Sequence, residues 1–262
     1  MIEPLARLGF ASKAFIYSTV GLLAGAAALN EGGTVTDTRG ALRVILSHPF
    51  GNTVLFVLAV GLCGYSLWRL LDAFLDPEGR GTSAKGLGVR IGSAFRALVY
   101  GGLGLEAFRL ARGLRSSRGS DATIRMWAAR VMDWPLGVWL IAVIGLITAG
   151  YGVLEIVEAV RQKQGDKRDL SSLDRSTRRM LTNISRFGVA ARAVIVVGIG
   201  VFLVRAALRH DPGQAAGIRG SMLELAGAGG RWALGFMALG LIAYGIDQAL
   251  DARYRRIHSP IR

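Results

Sequence analysis

Cysteine is nearly missing from this 262-residue chain, Cys63 being its single copy, so a disulfide within the chain and a thiolate metal site are both excluded. Histidine is almost as scarce. His48, His210 and His258 stand at no metal-ligand spacing, and neither a metal nor a cofactor is expected. No grouping of Ser, His and an acid stands out, so the chain is not expected to be an enzyme. Proline numbers 6 against 36 glycines, and glycine is thus about twice its usual ~7%. The glycines fall inside apolar runs, where small residues let helices approach closely, and GLLAG from Gly21 to Gly25 reads as such packing, not as a phosphate loop. Acids are few, 18 against 32 Lys and Arg, for a net charge of +14. The basic residues lie beside apolar segments with no interleaved aromatics for base stacking, so anionic membrane lipids, and not nucleic acid, are the expected counter-charge. Cys63 itself reads as core packing.

What is abundant is apolar surface: 52% of residues are hydrophobic and the mean hydropathy is +0.40. A membrane span needs about 20 mainly apolar residues. Six segments qualify, near 10–29, 53–75, 93–111, 135–157, 189–208 and 231–250, the third weakened by Arg96 and Glu106. Lys13 interrupts the first apolar stretch close to its start, which argues against a cleaved signal and for a retained span.

The segments recur as pairs. RLGFASKAFIYSTVG from Arg7, RIGSAFRALVYGGLG from Arg90 and RFGVAARAVIVVGIG from Arg186 share Arg-x-Gly-x-x-x-(Lys/Arg)-Ala and a later Gly, aligning Lys13, Arg96 and Arg192. The partner segments align Tyr65, Tyr151 and Tyr244, each followed seven residues on by an acid: Asp72, Glu158 and Asp251. Three tandem repeats follow, at 1–80, 81–163 and 186–262, with a basic linker at 164–185. Between the segments of the first two repeats, TRGALRVILSHPFG and TIRMWAARVMDWPLG read as short amphipathic helices stopped by proline and lying in the membrane interface. The third repeat, GIRGSMLELAGAGGRW, lacks the proline, and its short helix is expected to be looser.

The fold expected is therefore all-α and integral to the membrane: six transmembrane helices as three tandem hairpins in a pseudo-threefold arrangement, with interfacial helices at one end. Lys and Arg in the loops favour the side of both termini, which the positive-inside rule places in the cytoplasm.

Cations at the heads of the odd helices and acids at the ends of the even ones share one depth. Lys13, Arg96 and Arg192 with Asp72, Glu158 and Asp251 are thus either ion pairs that fix packing or a charged gate, with Tyr65, Tyr151 and Tyr244 deeper on the same faces. Glu106 is an acid at membrane depth, a functional candidate by default, with Arg109 as its i+3 partner. In the linker, Ser171-Ser172-Leu173-Asp174 matches a helix start, and Arg175, Arg178 and Arg179 beyond it form a candidate lipid or partner surface.

The Arg-x-Gly-x-x-x-(Lys/Arg)-Ala heads, TRGALRVILSHPFG and the Gly-Leu-x-x-Tyr-x-x-Trp-Arg-x-x-Asp-Ala run from Gly61 to Ala73 resemble a family of bacterial membrane proteins of unknown function built from three two-helix repeats. The resemblance covers nearly the whole chain. It implies six spans in a bacterial inner membrane and carries over no reaction or catalytic residue. Mitochondrial carriers also have three two-helix repeats, but their Pro-x-(Asp/Glu)-x-x-(Lys/Arg) motif is absent, so that likeness is analogy only. A non-enzymatic scaffold or lipid-organising module, with a possible membrane-protein partner, is the expected function; a small transporter or channel is the alternative.

Overall fold

The computed structural model describes residues 2–30, 33–75, 81, 83–114, 119–161, 168–171 and 173–255. Eight α-helices carry them: α1 (Ile2–Ala28), α2 (Thr38–Leu46), α3 (Gly51–Leu75), α4 (Ala84–Ala111), α5 (Ser120–Met132), α6 (Gly137–Val160), α7 (Arg175–Leu208) and α8 (Ile218–Tyr254), with one 3-10 turn at Pro212–Gln214. Among the described residues there is no strand, only an isolated bridge between Arg168 and Arg255. α8 is two helices in one, broken at Gly230, whose φ of 63° suits glycine alone.

Five helices, α1, α3, α6, α7 and α8, are long and apolar enough to cross a membrane. α4 is as long, at 28 residues, but Arg90, Arg96, Glu106 and Arg109 dilute its apolar stretch. The outward surfaces suit lipid: α6 exposes Leu140, Val143, Ile144, Ile147 and Leu154, and Leu22, Phe74, Leu98 and Leu239 face outward on other helices. An apolar periphery this broad is the kind of surface that membrane proteins present. Cys63, expected in the core, belongs to that periphery.

The repeated motif has a structural meaning at each of its positions. The leading arginine donates to the last carbonyls of the even helix before it in the cycle. Arg7 donates to Ala252 and Arg253 O at 2.8 Å each, Arg90 to Ala73 O at 2.7 Å, and Arg186 to Ala159 and Val160 O at 2.9 Å each. A helix C-terminus leaves carbonyls unpaired and carries partial negative charge, so a guanidinium there satisfies both. The later glycine lets the same two helices touch. A β-carbon on Gly21 would strike Ala238 and Ile242 of α8, on Gly104 Cys63 of α3, and on Gly200 Ala149 of α6. α1 thus packs on α8, α4 on α3 and α7 on α6, while α1 also meets α3, and α7 meets α8.

At the other end the short helices link head to tail. Asp37 caps α2 by accepting from Gly40 N at 2.7 Å and also accepts from Ser120 N, at the start of α5, at 2.9 Å. Asp121 accepts from Gly217 N, before α8, at 2.7 Å, and Arg219 of α8 returns to Val35 O at 3.1 Å. The third short helix is not loose, contrary to the sequence expectation: Met222 and Ser221 are fully buried, and Gly230 supplies the break that proline supplies in the other repeats. Because Asp37 serves two helix starts, Asp37→Ala is expected to cost about 1–2 kcal/mol in thermal unfolding, with Asp37→Asn recovering part; equal melting of all three proteins would contradict the cap.

Candidate functional site: a buried ion and tyrosine network

At the end where α1 starts and α8 finishes, polar side chains from all six long helices come together. Lys13 of α1 is 4% exposed. Its Nζ lies 4.6 Å from the centre of the Tyr65 ring, 4.8 Å from Tyr100 and 5.4 Å from Phe10, and it donates to Tyr65 OH at 3.4 Å. Among the described residues no carboxylate comes within ion-pair distance of it, so aromatic faces hold the ammonium. Tyr65, fully buried, also accepts from Arg69 Nε at 2.9 Å. Arg69 pairs with Asp72 at 3.3 Å, and Ser93 of α4 donates to the same Asp72 oxygen at 2.7 Å.

Tyr17 OH and Tyr100 OH lie 3.3 Å apart, and the Tyr17 ring stands edge-on to Tyr244 at 4.8 Å. Beyond Tyr244, Arg192 of α7 sits over its ring at 5.2 Å and pairs with Glu155 of α6 at 2.6 Å. Glu155 also accepts from Tyr151 OH at 2.5 Å, and Tyr151 accepts from Arg96 Nη1 of α4 at 3.3 Å. The line Arg96, Tyr151, Glu155, Arg192 thus runs through three helices.

A second cluster closes the end of α8. Arg168, from the connection between the second and third repeats, reaches Asp247 at 2.6 Å, Asp251 at 2.7 Å and Ser185 Oγ at 3.0 Å. Burial opposes its charge, but the two carboxylates outweigh burial and hold Arg168 above its ordinary pKa. Arg255 shares Asp251 at 3.0 Å, and Gln248 donates to Asp247 at 2.9 Å.

The arrangement corrects the simple column expected from the repeats. Among the described residues none of Lys13, Arg96 and Arg192 pairs with any of Asp72, Glu158 and Asp251. Glu158 is exposed, and Glu155 takes the inward acidic role in α6. The reason is where α7 packs: Glu155, four residues after Tyr151 as Arg69 follows Tyr65 and Gln248 follows Tyr244, is the acid on the tyrosine face that Arg192 meets. Tyr65 and Tyr244 are buried, whereas Tyr151 is 38% exposed. Glu106 is buried at 4%, and Arg109 lies on the exposed side of the same helix. Asp174 caps α7 directly, so Arg175, Arg178 and Arg179 are the exposed start of one 34-residue helix and not a separate surface helix. The residues that sequence reading passed over are Arg69, Ser93, Glu155, Arg168, Ser185 and Asp247. The i+4 spacing from each tyrosine signals Arg69 and Glu155; nothing in the repeats signals Arg168, which has no counterpart in them.

Fold and network together define a membrane-type, all-α bundle built from tandem helical hairpins. The chain belongs to the DUF1206 family, described as a domain of unknown function, whose pattern it matches three times, at residues 8–76, 91–162 and 187–255. It is 33% identical over 257 residues to the uncharacterized protein YxxB of Bacillus subtilis (strain 168), covering 98% of this chain and 92% of that one. No solved structure matches it.

Proposed function

We propose that the chain is a six-span protein of the bacterial inner membrane, with three hairpins about a pseudo-threefold axis and both termini cytoplasmic. On this reading it serves as a non-enzymatic module that scaffolds or accompanies a membrane complex or orders lipid. α4 is the sixth span. Its charges do not oppose insertion, because Ser93, Arg96 and Glu106 face protein or the seam beside α6, and buried polar groups in spans face the bundle interior. The cyclic recurrence of α8 on α1, α3 on α4 and α6 on α7 supports the threefold arrangement.

The observation that carries the functional reading is the filled axis. Tyr244, Tyr17, Tyr100, Tyr65 and Lys13 are buried and touch in succession, which supports packing over a conduit. Solute or proton transport is the second reading, favoured by Lys13 and Glu106 at membrane depth.

Lys13 separates the two. With no carboxylate to strand, Lys13→Met keeps the volume and is expected to hold thermal stability within about 1.5 kcal/mol. Lys13→Ala empties a box of three rings and should lose about 2–5 kcal/mol. Gentle purification from native membranes is expected to bring a stoichiometric partner or tightly held lipid with both wild type and Lys13→Met. Solute flux in proteoliposomes that Lys13→Met or Glu106→Gln abolishes would overturn the module in favour of transport.

A further inference from the structure

The second hairpin is open where the other two are closed. In the first and third repeats the glycine of the Arg-x-Gly head seats against the tyrosine helix of its own repeat: a β-carbon on Gly9 would strike Tyr65 and Gly61, and one on Gly188 would strike Tyr244 and Ala243. The equivalent Gly92 meets no atom of α6, its nearest neighbour being Arg96 Nη2 of its own helix at 3.4 Å, and Gly150 faces nothing within 4 Å. α4 and α6 do not pack closely; at this level the bond from Arg96 to Tyr151 spans the seam.

The chemistry of the seam is lopsided. Glu155 is satisfied by Arg192 and by the Tyr151 proton, so no acid remains there for Arg96. Arg96 uses Nε on Gly92 O and Nη1 on Tyr151, which leaves three of the five guanidinium N–H groups without a protein acceptor among the described residues. Beside this half-buried cation the seam faces of both helices carry exposed apolar side chains: Val99 on α4, three residues after Arg96, and Ile147 and Leu154 on α6, four before and three after Tyr151. An occupant must therefore present an anionic, fork-accepting head to a guanidinium and an apolar body to the walls.

We propose that the α4–α6 seam binds one acidic phospholipid, its phosphate on Arg96 beside Tyr151 and an acyl chain lying between the helices. Arginine takes a phosphate in two parallel hydrogen bonds, and the lateral opening faces the medium in which such lipids are dissolved. The site rests on the membrane placement proposed above. It differs from the surface cluster Arg175, Arg178 and Arg179, which has no walls and holds any anionic surface by charge alone.

The test uses the full chain in an uncharged detergent, melted with dioleoyl-phosphatidylglycerol, dioleoyl-phosphatidylcholine or inorganic phosphate, with native mass spectrometry to count retained lipid. Phosphatidylglycerol at roughly ten times its Kd should raise Tm by about 3–6 °C and appear as one bound copy; phosphatidylcholine and phosphate should do neither. Arg96→Gln should erase the preference, as should Gly92→Leu, which fills the seam and leaves the charge. The triple change Arg175→Gln, Arg178→Gln, Arg179→Gln should keep it. A phosphatidylglycerol preference that survives both seam variants overturns the site, as does an equal shift from inorganic phosphate or a second copy of the chain covering the seam. If Arg96→Gln does not fold, Gly92→Leu decides alone. Release of the wild type from membranes by alkaline wash would instead sink the six-span reading.

Discussion

Arg168→Ala is expected to lower the melting temperature in detergent by roughly 10 °C, the equivalent of about 3–5 kcal/mol for loss of one partner from a buried ion cluster. The argument lies in what would remain. Asp251 keeps Arg255 at 3.0 Å, but Asp247 keeps no cation among the described residues, with the neutral Gln248 amide at 2.9 Å and the Ser185 hydroxyl beside it. Two carboxylates four residues apart on one helix would then repel each other out of reach of water. The loss should be specific to charge: adding Asp247→Asn to Arg168→Met should restore most of the stability, because an apolar and neutral replacement of a buried ionic group is often harmless. Equal melting of Arg168→Ala and wild type would show that the cluster is solvated and does not hold the connection to α8.

Opposite signs are expected from one substitution at three aligned glycines. Alanine is the better helix former by about 1 kcal/mol, so Gly92→Ala, at the open seam, should stabilise by up to that amount. Gly9→Ala and Gly188→Ala should destabilise by about 1–3 kcal/mol, since their β-carbons meet the backbone or Cβ of a tyrosine on the facing helix, atoms that cannot swing aside as a side-chain tip can. Thermal unfolding of the three single variants checks this. Three losses of similar size would mean that the second hairpin closes as the others do, and the seam would not exist.

The triplication, the helices and the short segments between them were legible in the sequence, because each leaves a repeated chemical pattern: Arg-x-Gly, the aligned tyrosines, the proline stops. What the pattern could not convey is which neighbour each residue serves. The leading arginines look like topology signals, yet they cap carbonyls on a helix from another repeat, a relation fixed only by tertiary packing. Spacing by seven drew attention to Glu158, while packing set Arg192 of α7 against Glu155, one turn nearer Tyr151, and left Glu158 exposed. The equivalence of three aligned positions also misled at Lys13: identical alignment gave Arg192 a carboxylate and Lys13 a ring of aromatics, because the neighbouring helices differ in sequence at Arg69, Glu155 and Gln248. Arg168 stood outside every repeat, so no periodicity could reveal it.

The pairing of α1 with α8, sealed by Arg7 on the carbonyls of Ala252 and Arg253, has a consequence in time. Of the eight helices α1 precedes the others along the chain, yet its main partner, α8, follows them all. Until α8 is made, Lys13 has Phe10, Tyr65 and Tyr100 around it, but the face of α1 bearing Gly21 stays uncovered, and the ring cannot close. Synthesis of the final turn of α8 is therefore the event that completes the packing of α1, and a chain cut short before Ala252 leaves Arg7 without the carbonyls it caps.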